Sequence, residues 1–392
     1  MLKIKNGRIV DSKGKEVRLR GIALGGWLMM EGYMLGGRNI PEHVFKANLA
    51  KIYGKAFLKK FSRKFRSSFV SSHDFEKIKK LGFNCVRLPF NYRILEEPDG
   101  LRYLKNVVRD LAKNKLYIIL DMHAVPGAQN KDWHSDSAGE ALFWESEKHR
   151  KKYISLWKKL AITFKNEEWV AGYDIMNEPV TKKVKLLLKG YQQTVDLIRL
   201  TGDKHIIFLE GNNYATDIDF LSGIKGENLA ISIHFYQPFQ FTFNILPEAR
   251  YPGEVAGRKW NKIEIRKIFK EYSDFAKKLG MPVFVGEFGI ASRSVDRGEL
   301  SWVEDVLEGF EEFDFHWTYW TYKSVKGMAL PDGLFQLSDP TGIIGNPAQI
   351  SGMENFYKIL KNRSSEFYKI WDTKNFKLNE SLYSILRKFV LL

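Results

Sequence analysis

Two glutamates that close apolar segments are the residues of this sequence that most directly indicate a chemistry. Glu178 follows segment 170–177, and Glu287 ends segment 282–287. Two opposed carboxyl groups can cleave a glycosidic bond, because one protonates the leaving oxygen while the other attacks the sugar or activates water. Pro179 cannot continue the hydrogen bonding of a strand. The pair predicts a hydrolytic site, provided that the fold brings both glutamates together.

The elements that must position these glutamates follow a simple rhythm. Short apolar segments alternate with longer stretches of helical periodicity, which predicts parallel strands joined by helices. The eight predicted strands are 18–24, 85–90, 117–123, 170–177, 205–211, 230–236, 282–287 and 316–322. The predicted helices are 71–81, 101–114, 147–165, 182–200, 261–279 and 297–312. Eight strands in this order favour an α/β fold of the closed (β/α)8 TIM-barrel type over an open doubly wound sheet.

The whole chain, 1–392, is expected to be one catalytic barrel domain. An N-terminal β-hairpin is predicted over 1–17, where it could close the bottom of the barrel, and a helical tail from about 349 to 392. Leu382, Ile385, Leu386 and Phe389 lie at helical spacing in this tail, which predicts one or two helices. Two long βα loops, 36–54 and 327–346, follow the first and eighth strands.

Polar or aromatic residues follow the predicted strands where each strand ends. Seven strands in turn carry them, at Arg87, Asp121 to His123, Asn177-Glu178, Glu210 to Asn213, His234 to Tyr236, Glu287, and Trp317 with Trp320. In barrels of this type the chemistry lies where strands end and βα loops begin. Any one of these residues has an ordinary explanation, but buried charge is costly. A ring of them therefore predicts a functional cleft.

Composition and charge exclude several classes of protein. The chain carries 62 Lys and Arg against 46 Asp and Glu, a net charge of +16. The lysines are spread over predicted helices and no nucleic-acid-binding motif accompanies them, so a solvated basic surface is expected and no nucleic-acid partner. The single cysteine, Cys85, excludes an internal disulfide and is expected in a buried strand.

The N-terminus lacks the apolar run of a signal peptide. No segment approaches the roughly 18 apolar residues of a membrane span. These features predict a soluble, cytoplasmic protein, or a secreted one had a signal been removed. The oligomeric state stays open.

Seven segments carry a resemblance to a known family. They are RGIALGGWLMMEGY at 20–33, NCVRLPF at 84–90, DMHAVPGAQN at 121–130, YDIMNEP at 173–179, HFYQP at 234–238, VGEFG at 285–289 and HWTYWTYK at 316–323. In type and order they resemble glycoside hydrolase family 5, the cellulase family of clan A. A lone NEP would be weak, but NEP, HxY and GEFG in this order are specific. The resemblance spans about residues 20 to 325.

The resemblance implies a role for each matching residue. Glu178 would be the general acid/base and Glu287 the nucleophile of a retaining double displacement, with their carboxyl groups about 5–5.5 Å apart. Arg87 would keep the nucleophile ionised, since a nearby cation favours the charged form. The remaining implied contacts are Asn177 with the 2-hydroxyl, Tyr236 with Glu287, His234 with the acid/base, His123 with the −1 sugar and Trp320 as its platform.

Other segments indicate the branch of the family. RGxxLGGWL followed by Glu31 resembles the exo-acting β-glucanase and β-glycosidase branch, in which the matching glutamate contacts the terminal sugar. The third βα loop, with Gln129, Asn130, Trp133 and His134, resembles the same branch, where an aromatic residue contacts the leaving group. An exo-acting β-glucosidase or β-mannosidase is therefore expected, and an endo-β-glucanase or endo-mannanase is the alternative. The expected partner is a β-linked oligosaccharide or glycoside.

Three further alternatives are weaker. A glycolipid substrate would fit the basic surface and the long loops. A non-catalytic carbohydrate-binding barrel is disfavoured because Glu178 and Glu287 are both present. A metal enzyme would need His123, Glu210 and His234 to meet, yet these residues form no short ligand motif. No cofactor and no metal are expected.

Overall fold

The computed structural model describes residues 1–293, 295–327, 329–338, 352–362 and 364–392. Within these residues eight parallel strands pair in sequence order, and the eighth pairs with the first to close a barrel. The barrel strands, one to eight, are Arg20–Ala23, Cys85–Asn91, Tyr117–Ala124, Val170–Asp174, Ile206–Glu210, Leu229–His234, Val283–Phe288 and His316–Tyr319. The predicted fold class is confirmed.

Nearly all residues of the barrel strands are buried, as expected for strands covered by side chains inside and by helices outside. Cys85 has no solvent exposure, which agrees with its predicted place in a buried strand. The fourth strand ends at Asp174, three residues before the predicted end at 177. Residues 175–177 therefore belong to the connection that leads into Glu178.

The N-terminal hairpin closes the lower end of the barrel. Strand Lys3–Lys5 pairs antiparallel with Arg8–Val10, and Val10 bridges to Glu16. The side chains of Leu2 and Ile9 are buried in the same apolar cluster as Cys85 and other residues of the barrel interior. The hairpin thus covers the apolar end of the barrel interior, opposite the predicted cleft, and shields it from water.

Helices surround the barrel and include all six that were predicted. These are Ser72–Lys80, Gly100–Lys113, Glu147–Phe164, Val184–Leu200, Lys262–Leu279 and Glu299–Glu312. Short helical segments, Asn212–Ala215 and Phe239–Thr242, follow the fifth and sixth barrel strands. A hairpin of Gly253–Val255 and Arg258–Trp260 precedes Lys262–Leu279. Among the described residues, no helix is long and apolar enough to cross a membrane.

The first βα loop and the C-terminal tail together form an additional helical layer. The long first loop forms two helices that were not predicted, Glu42–Tyr53 and Lys55–Phe69. The tail forms three helices in its described part rather than one or two, Met353–Asn362, Ser364–Ile370 and Glu380–Val390. Phe45 and Phe61 of the first loop contact Phe356 and Phe367 of the tail through their rings. The two segments thus share one apolar core.

The eighth βα loop leads into a small sheet formed by Lys323–Val325, Phe335–Leu337 and Lys377–Leu378. This sheet joins the tail to the end of the last barrel strand. Residues 339–346 of the loop, and 349–351 of the predicted tail, lie outside the described residues.

Candidate active site

A cavity of about 560 Å³ opens at the carboxyl ends of the barrel strands. Nine of the eleven predicted site residues line it: Glu31, His123, Trp133, His134, Glu178, His234, Tyr236, Glu287 and Trp320. The other two, Arg87 and Asn177, are fully buried and bond to groups at its base. Residues separated by almost 290 positions in the sequence therefore meet in one cavity.

Glu287 lies at the end of the seventh barrel strand and is held from two sides. Arg87 donates a hydrogen bond of 2.6 Å from Nη1 to its Oε1. The Tyr236 hydroxyl donates one of 2.8 Å to its Oε2. A cation and a hydroxyl donor both favour the carboxylate form. The surroundings of Glu287 are therefore those of a group that stays ionised.

Arg87 lies at the centre of a buried network that we call the charged floor, formed by Arg87, Asp121, Asp174, Asn177 and Glu210. Within the described part of the chain, the guanidinium group lies 3.0 Å from each of Asp121, Asp174 and Glu210, in addition to Glu287. Burial by itself lowers the pKa of Arg87, but the carboxylates around it raise that pKa well above its usual value. The guanidinium is therefore permanently charged.

The charged floor holds more carboxyl groups than one arginine can neutralise. Burial, reinforced by the neighbouring Glu210, raises the pKa of Asp174 well above its usual value. Both influences favour the protonated form of Asp174, which would reduce the negative charge beneath Glu287. The sequence interpretation did not single out Asp174, although its position in YDIMNEP, at the end of the fourth strand, could have indicated it.

Glu178 has a backbone conformation that residues other than glycine seldom adopt, with a φ of +46°. Its backbone N–H donates to Glu210 Oε2 at 2.6 Å, which ties this strained residue to the charged floor. Its two carboxylate oxygens face two histidines. Oε1 lies 2.6 Å from His234 Nδ1, and Oε2 lies 2.9 Å from His134 Nε2.

These histidines determine the protonation of Glu178. Burial alone would raise the pKa of Glu178, but the hydrogen bonds and charges of His134 and His234 outweigh it and hold that pKa well below the usual value. Burial would lower the pKa of His234, yet Glu210 and Glu287 raise it well above its ordinary value. The contacts of Glu178 therefore favour its carboxylate form, with His234 in the imidazolium form beside it.

The two glutamates face one another. An oxygen of Glu178, an oxygen of Glu287 and a ring nitrogen of His234 lie within 4.8 Å of one another. Glu287 is bonded to Arg87 and Tyr236, and Glu178 to His134; these partners donate hydrogen bonds or carry positive charge. We therefore interpret the two glutamates as acid–base groups and not as ligands of a cation. Among the described residues, no metal-binding cluster contains His123 or Glu210, the other members of the metal alternative.

Several buried polar atoms at the base of the cavity lack a hydrogen-bond partner among the described residues, and they include Glu31 Oε1 and Asn177 Nδ2. Burial raises the pKa of Glu31 to about 7. Buried polar atoms normally have a partner, and those without one mark a place for a ligand group. Hydroxyl groups of a sugar would supply the missing partners, since a hydroxyl both donates and accepts.

Aromatic rings form one side of the same space. The rings of His123 and Trp320 stack with centroids 5.5 Å apart and an angle of 6° between their planes. Trp320 Nε1 donates to the Tyr33 hydroxyl at 2.7 Å, and the Tyr33 ring contacts Trp133 edge-on. The sequence interpretation did not assign Tyr33 to the site. The residue ends the quoted RGIALGGWLMMEGY segment, two positions after Glu31.

The outer part of the cavity is mostly aromatic. We call Trp133, Tyr214, Phe239, Phe243 and Leu330 the aromatic wall. Phe239 and Tyr214 are 49% and 41% exposed, although both are large rings. With the exception of Trp133, this wall was not predicted, because its residues come from the connections after the barrel strands, where no motif or periodicity marks them.

The chain matches the model of the cellulase family, glycosyl hydrolase family 5, over residues 51–326. A β-xylosidase of Phanerodontia chrysosporium is 34% identical over 345 residues, which cover 83% of this chain and 71% of the relative. Endoglucanase C of Acetivibrio thermocellus is 27% identical over 308 residues, covering 68% and 87% of the two chains. The chain therefore belongs to glycosyl hydrolase family 5 and is a glycoside hydrolase.

Solved structures share the fold. An endoglucanase from the hyperthermophilic Thermotoga maritima superimposes with a TM-score of 0.62 over 94% of this chain and 96% of its own, at 18% identity. At such low identity the likeness shows the barrel fold alone.

Proposed function

We propose that this protein is a retaining β-glycosidase in which Glu287 is the nucleophile and Glu178 the general acid/base. The observation that carries the proposal is the approach of their oxygens to within 4.8 Å. Retaining enzymes hold the two carboxyl groups about 5–5.5 Å apart, whereas inverting enzymes leave roughly 6.5–9.5 Å for a water molecule. The direct bond from Arg87 to Glu287 supports the assignment of the nucleophile.

In the first step, Glu287 attacks the anomeric carbon while a proton passes from Glu178 to the leaving oxygen. In the second step, Glu178 takes a proton from water, which releases the sugar from Glu287 with its original configuration. The unpartnered Nδ2 of Asn177 is within the base of the site and would bond the 2-hydroxyl of the sugar. Trp320 would support the sugar from one side.

We propose further that the enzyme removes terminal sugars. The buried oxygen of Glu31, which lacks a hydrogen-bond partner among the described residues, would bond hydroxyl groups of the terminal sugar of the substrate. A longer glycan that continued past this position would place a further sugar unit against Glu31 and cover these hydroxyl groups. The relative named β-xylosidase supports an exo mode. The substrate we favour is a β-glucoside or β-xyloside, which both have an equatorial 2-hydroxyl, and β-mannoside is the second choice.

An endo-acting β-glucanase is the second candidate function. The relatives named endoglucanase favour it, and so does the aromatic wall, which could bind further sugars on the leaving-group side. The two modes differ in their products. An exo enzyme releases one terminal sugar from an end-labelled tetrasaccharide at every time point, whereas an endo enzyme releases fragments of two sugars or more at the start.

A direct test uses aryl β-glucoside, β-xyloside and β-mannoside with the wild-type protein, Glu287→Gln, and the exposed control Glu147→Gln. We expect hydrolysis by the wild type and the control, and a loss of at least about 10⁴-fold in Glu287→Gln, as for the loss of a nucleophile elsewhere. A 2-deoxy-2-fluoro glycoside should add its sugar to the peptide that contains Glu287. NMR should show the β-anomer first. Appearance of the α-anomer first would exclude retention.

A further inference from the structure

Both oxygens of the proposed acid/base bond to histidines, which is more than positioning requires. His234, at the end of the sixth strand, contacts Oε1 of Glu178. His134, in the short helix Trp133–Ser135 of the third βα loop, contacts Oε2 at 2.9 Å. The sequence interpretation treated His134 as a substrate contact. Its ring lines the cavity and is also bonded to the carboxyl group that must move the proton.

The two polar neighbours of His134 Nε2 favour different positions of that proton. Asn130 Nδ2 lies 3.1 Å from His134 Nε2 and donates at 2.9 Å to the carbonyl oxygen of Glu178. Asn130 Oδ1 accepts from the backbone N–H of Asp132 at 2.9 Å, so the orientation of the amide is defined. Nε2 has one lone pair, so without a proton it accepts from Asn130 or from a protonated Glu178. With a proton, Nε2 donates to the Glu178 carboxylate and no longer accepts from Asn130, whose amide keeps its bond to the carbonyl oxygen of Glu178.

The charges around His134 favour the second state in the free protein. Glu178, Glu31 and Asp132 are the carboxylates that act on it, and the rings of His123 and Tyr214 lie 6.4 Å and 6.3 Å away. Burial lowers the pKa of His134, but the hydrogen bond and charge of Glu178 outweigh burial and raise it to about 9.

We propose that His134 and Glu178 form one proton-sharing pair, in which His134 holds the proton that Glu178 delivers to the leaving oxygen. The proposal rests on the function proposed above and adds a residue that handles the reacting proton. The pair keeps one proton from mildly acidic to alkaline pH, because the proton is lost only when His134 itself titrates. A carboxyl group alone would lose it near its own, lower pKa.

The steps balance in atoms and charge. In the first, the N–H bond of His134 breaks as an O–H bond forms at Glu178 Oε2, and this proton passes to the leaving oxygen as its bond to the anomeric carbon breaks. The Glu287 carboxylate forms the new bond to carbon and loses its negative charge, while the pair, which has given up one proton, becomes more negative by one charge. In the second, water attacks the carbon, Glu287 leaves, and the water proton returns through Oε2 to Nε2.

The test is the pH profile of kcat/KM for an aryl β-glycoside with a poor leaving group. Glutamine at position 134 can still donate a hydrogen bond to Glu178 but cannot store a proton. The alkaline midpoint should lie near 9 in the wild type. In His134→Gln it should move to lower pH by at least about two units, since Oε2 then has no neighbouring base and its proton must reside on the carboxyl group itself. His234 remains in the variant but contacts the other oxygen, Oε1. The exposed His73→Gln is the matched control and should keep the wild-type midpoint.

A shift of the alkaline midpoint to higher pH in His134→Gln, or no shift, would overturn the proposal. If His134 only depresses the pKa of Glu178, its removal moves the midpoint to higher pH. If His134 only contacts substrate, the variant lowers kcat/KM at every pH and leaves the midpoint in place. With a dinitrophenyl leaving group, which needs no proton, the alkaline limb should vanish in both proteins. This control separates loss of the acid from unfolding.

A second variant tests the pair by a titration that does not depend on catalytic activity. In Glu178→Gln, the carboxylate that raises the pKa of His134 is gone, and the ¹⁵N-imidazole titration of His134 should move from near 9 toward the ordinary value of about 6.5. An unchanged titration contradicts the pair. Failure of the proposed function can be distinguished from failure of the proton-sharing pair. If the proposed function is wrong, the wild-type protein hydrolyses no aryl β-glycoside or does so with inversion.

Discussion

The charged floor and the aromatic wall are two parts of one cavity with opposite construction. The floor lies at the ends of barrel strands, its members are fully buried, and its charged groups bond to one another around Arg87. The wall lies on loops, its rings are partly exposed, and it offers mostly apolar surface. Rigid strands can hold charged groups at the precise distances that catalysis requires. Loops can change in sequence and conformation without moving those groups.

The largest effect should come from breaking the floor with Arg87→Met. Removal of one partner from a buried ion pair destabilises a protein by about 3–5 kcal/mol, because the remaining charge is left unpaired. We expect a loss of this order in the free energy of unfolding in urea, and a loss of at least about 10³-fold in kcat/KM, as with electrostatic catalytic groups elsewhere. The exposed Arg102→Met should change neither. Normal stability of Arg87→Met would show that the floor does not depend on its arginine.

Tyr236→Phe should separate the chemistry of the floor from its stability. The variant removes the 2.8 Å hydrogen bond to Glu287 and little else. A hydrogen bond to a charged group contributes about 1.5–3 kcal/mol. We therefore expect kcat/KM to fall roughly 10- to 100-fold, with an unfolding free energy much closer to the wild type than that of Arg87→Met. An equal loss of stability in both variants would contradict this division.

Glu31 lies between the two regions and makes stability depend on pH. Burial raises its pKa in the folded state from 4.5 to about 7. The folded protein therefore holds this proton more tightly than the unfolded chain, and stability falls as pH rises between these values. At pH 8 the ionised, buried carboxylate should cost about 2–3 kcal/mol more than at pH 5.

Glu31→Gln removes the charge and keeps the size of the side chain. Its gain in unfolding free energy over the wild type should be larger at pH 8 than at pH 5. Its hydrolysis of terminal sugars should fall, because the amide replaces the oxygen left for a sugar hydroxyl. A gain that does not depend on pH would show that Glu31 is not the titrating group.

The smallest effect is expected in the wall. Phe239→Ala removes a ring that is already 49% exposed, so stability should change by less than about 1 kcal/mol. The variant should raise KM a few-fold for a substrate with a large leaving group and leave the hydrolysis of the glycosyl-enzyme unchanged, since the leaving group has gone by then. An effect as large as that of Tyr236→Phe would mean that the wall shares in the chemistry.

Most of the site was predictable because short motifs sit at strand ends. Apolar segments that alternate with helical stretches located the eight strands, and Glu178, Glu287, His123 and His234 lie where these strands end. Glu31 and His134 lie in loops and were indicated only by the resemblance to the family. The helices at Glu42–Tyr53 and Lys55–Phe69 were missed, although Phe57, Phe61, Phe65 and Phe69 recur every four residues in the second. The proposed roles of the site residues remain predictions, which the experiments above address.

The sequence by itself determined the barrel, the strand-end position of Glu178 and Glu287 and the family, because these depend on local periodicity and on residues adjacent in the chain. Only the tertiary structure decided that His134 bonds to Glu178, that one arginine is shared by several carboxyl groups, and that buried atoms of Glu31 and Asn177 have no hydrogen-bond partner among the described residues. Such contacts, and the pKa values that follow from them, depend on distances between distant segments and on how much water the packed chain excludes.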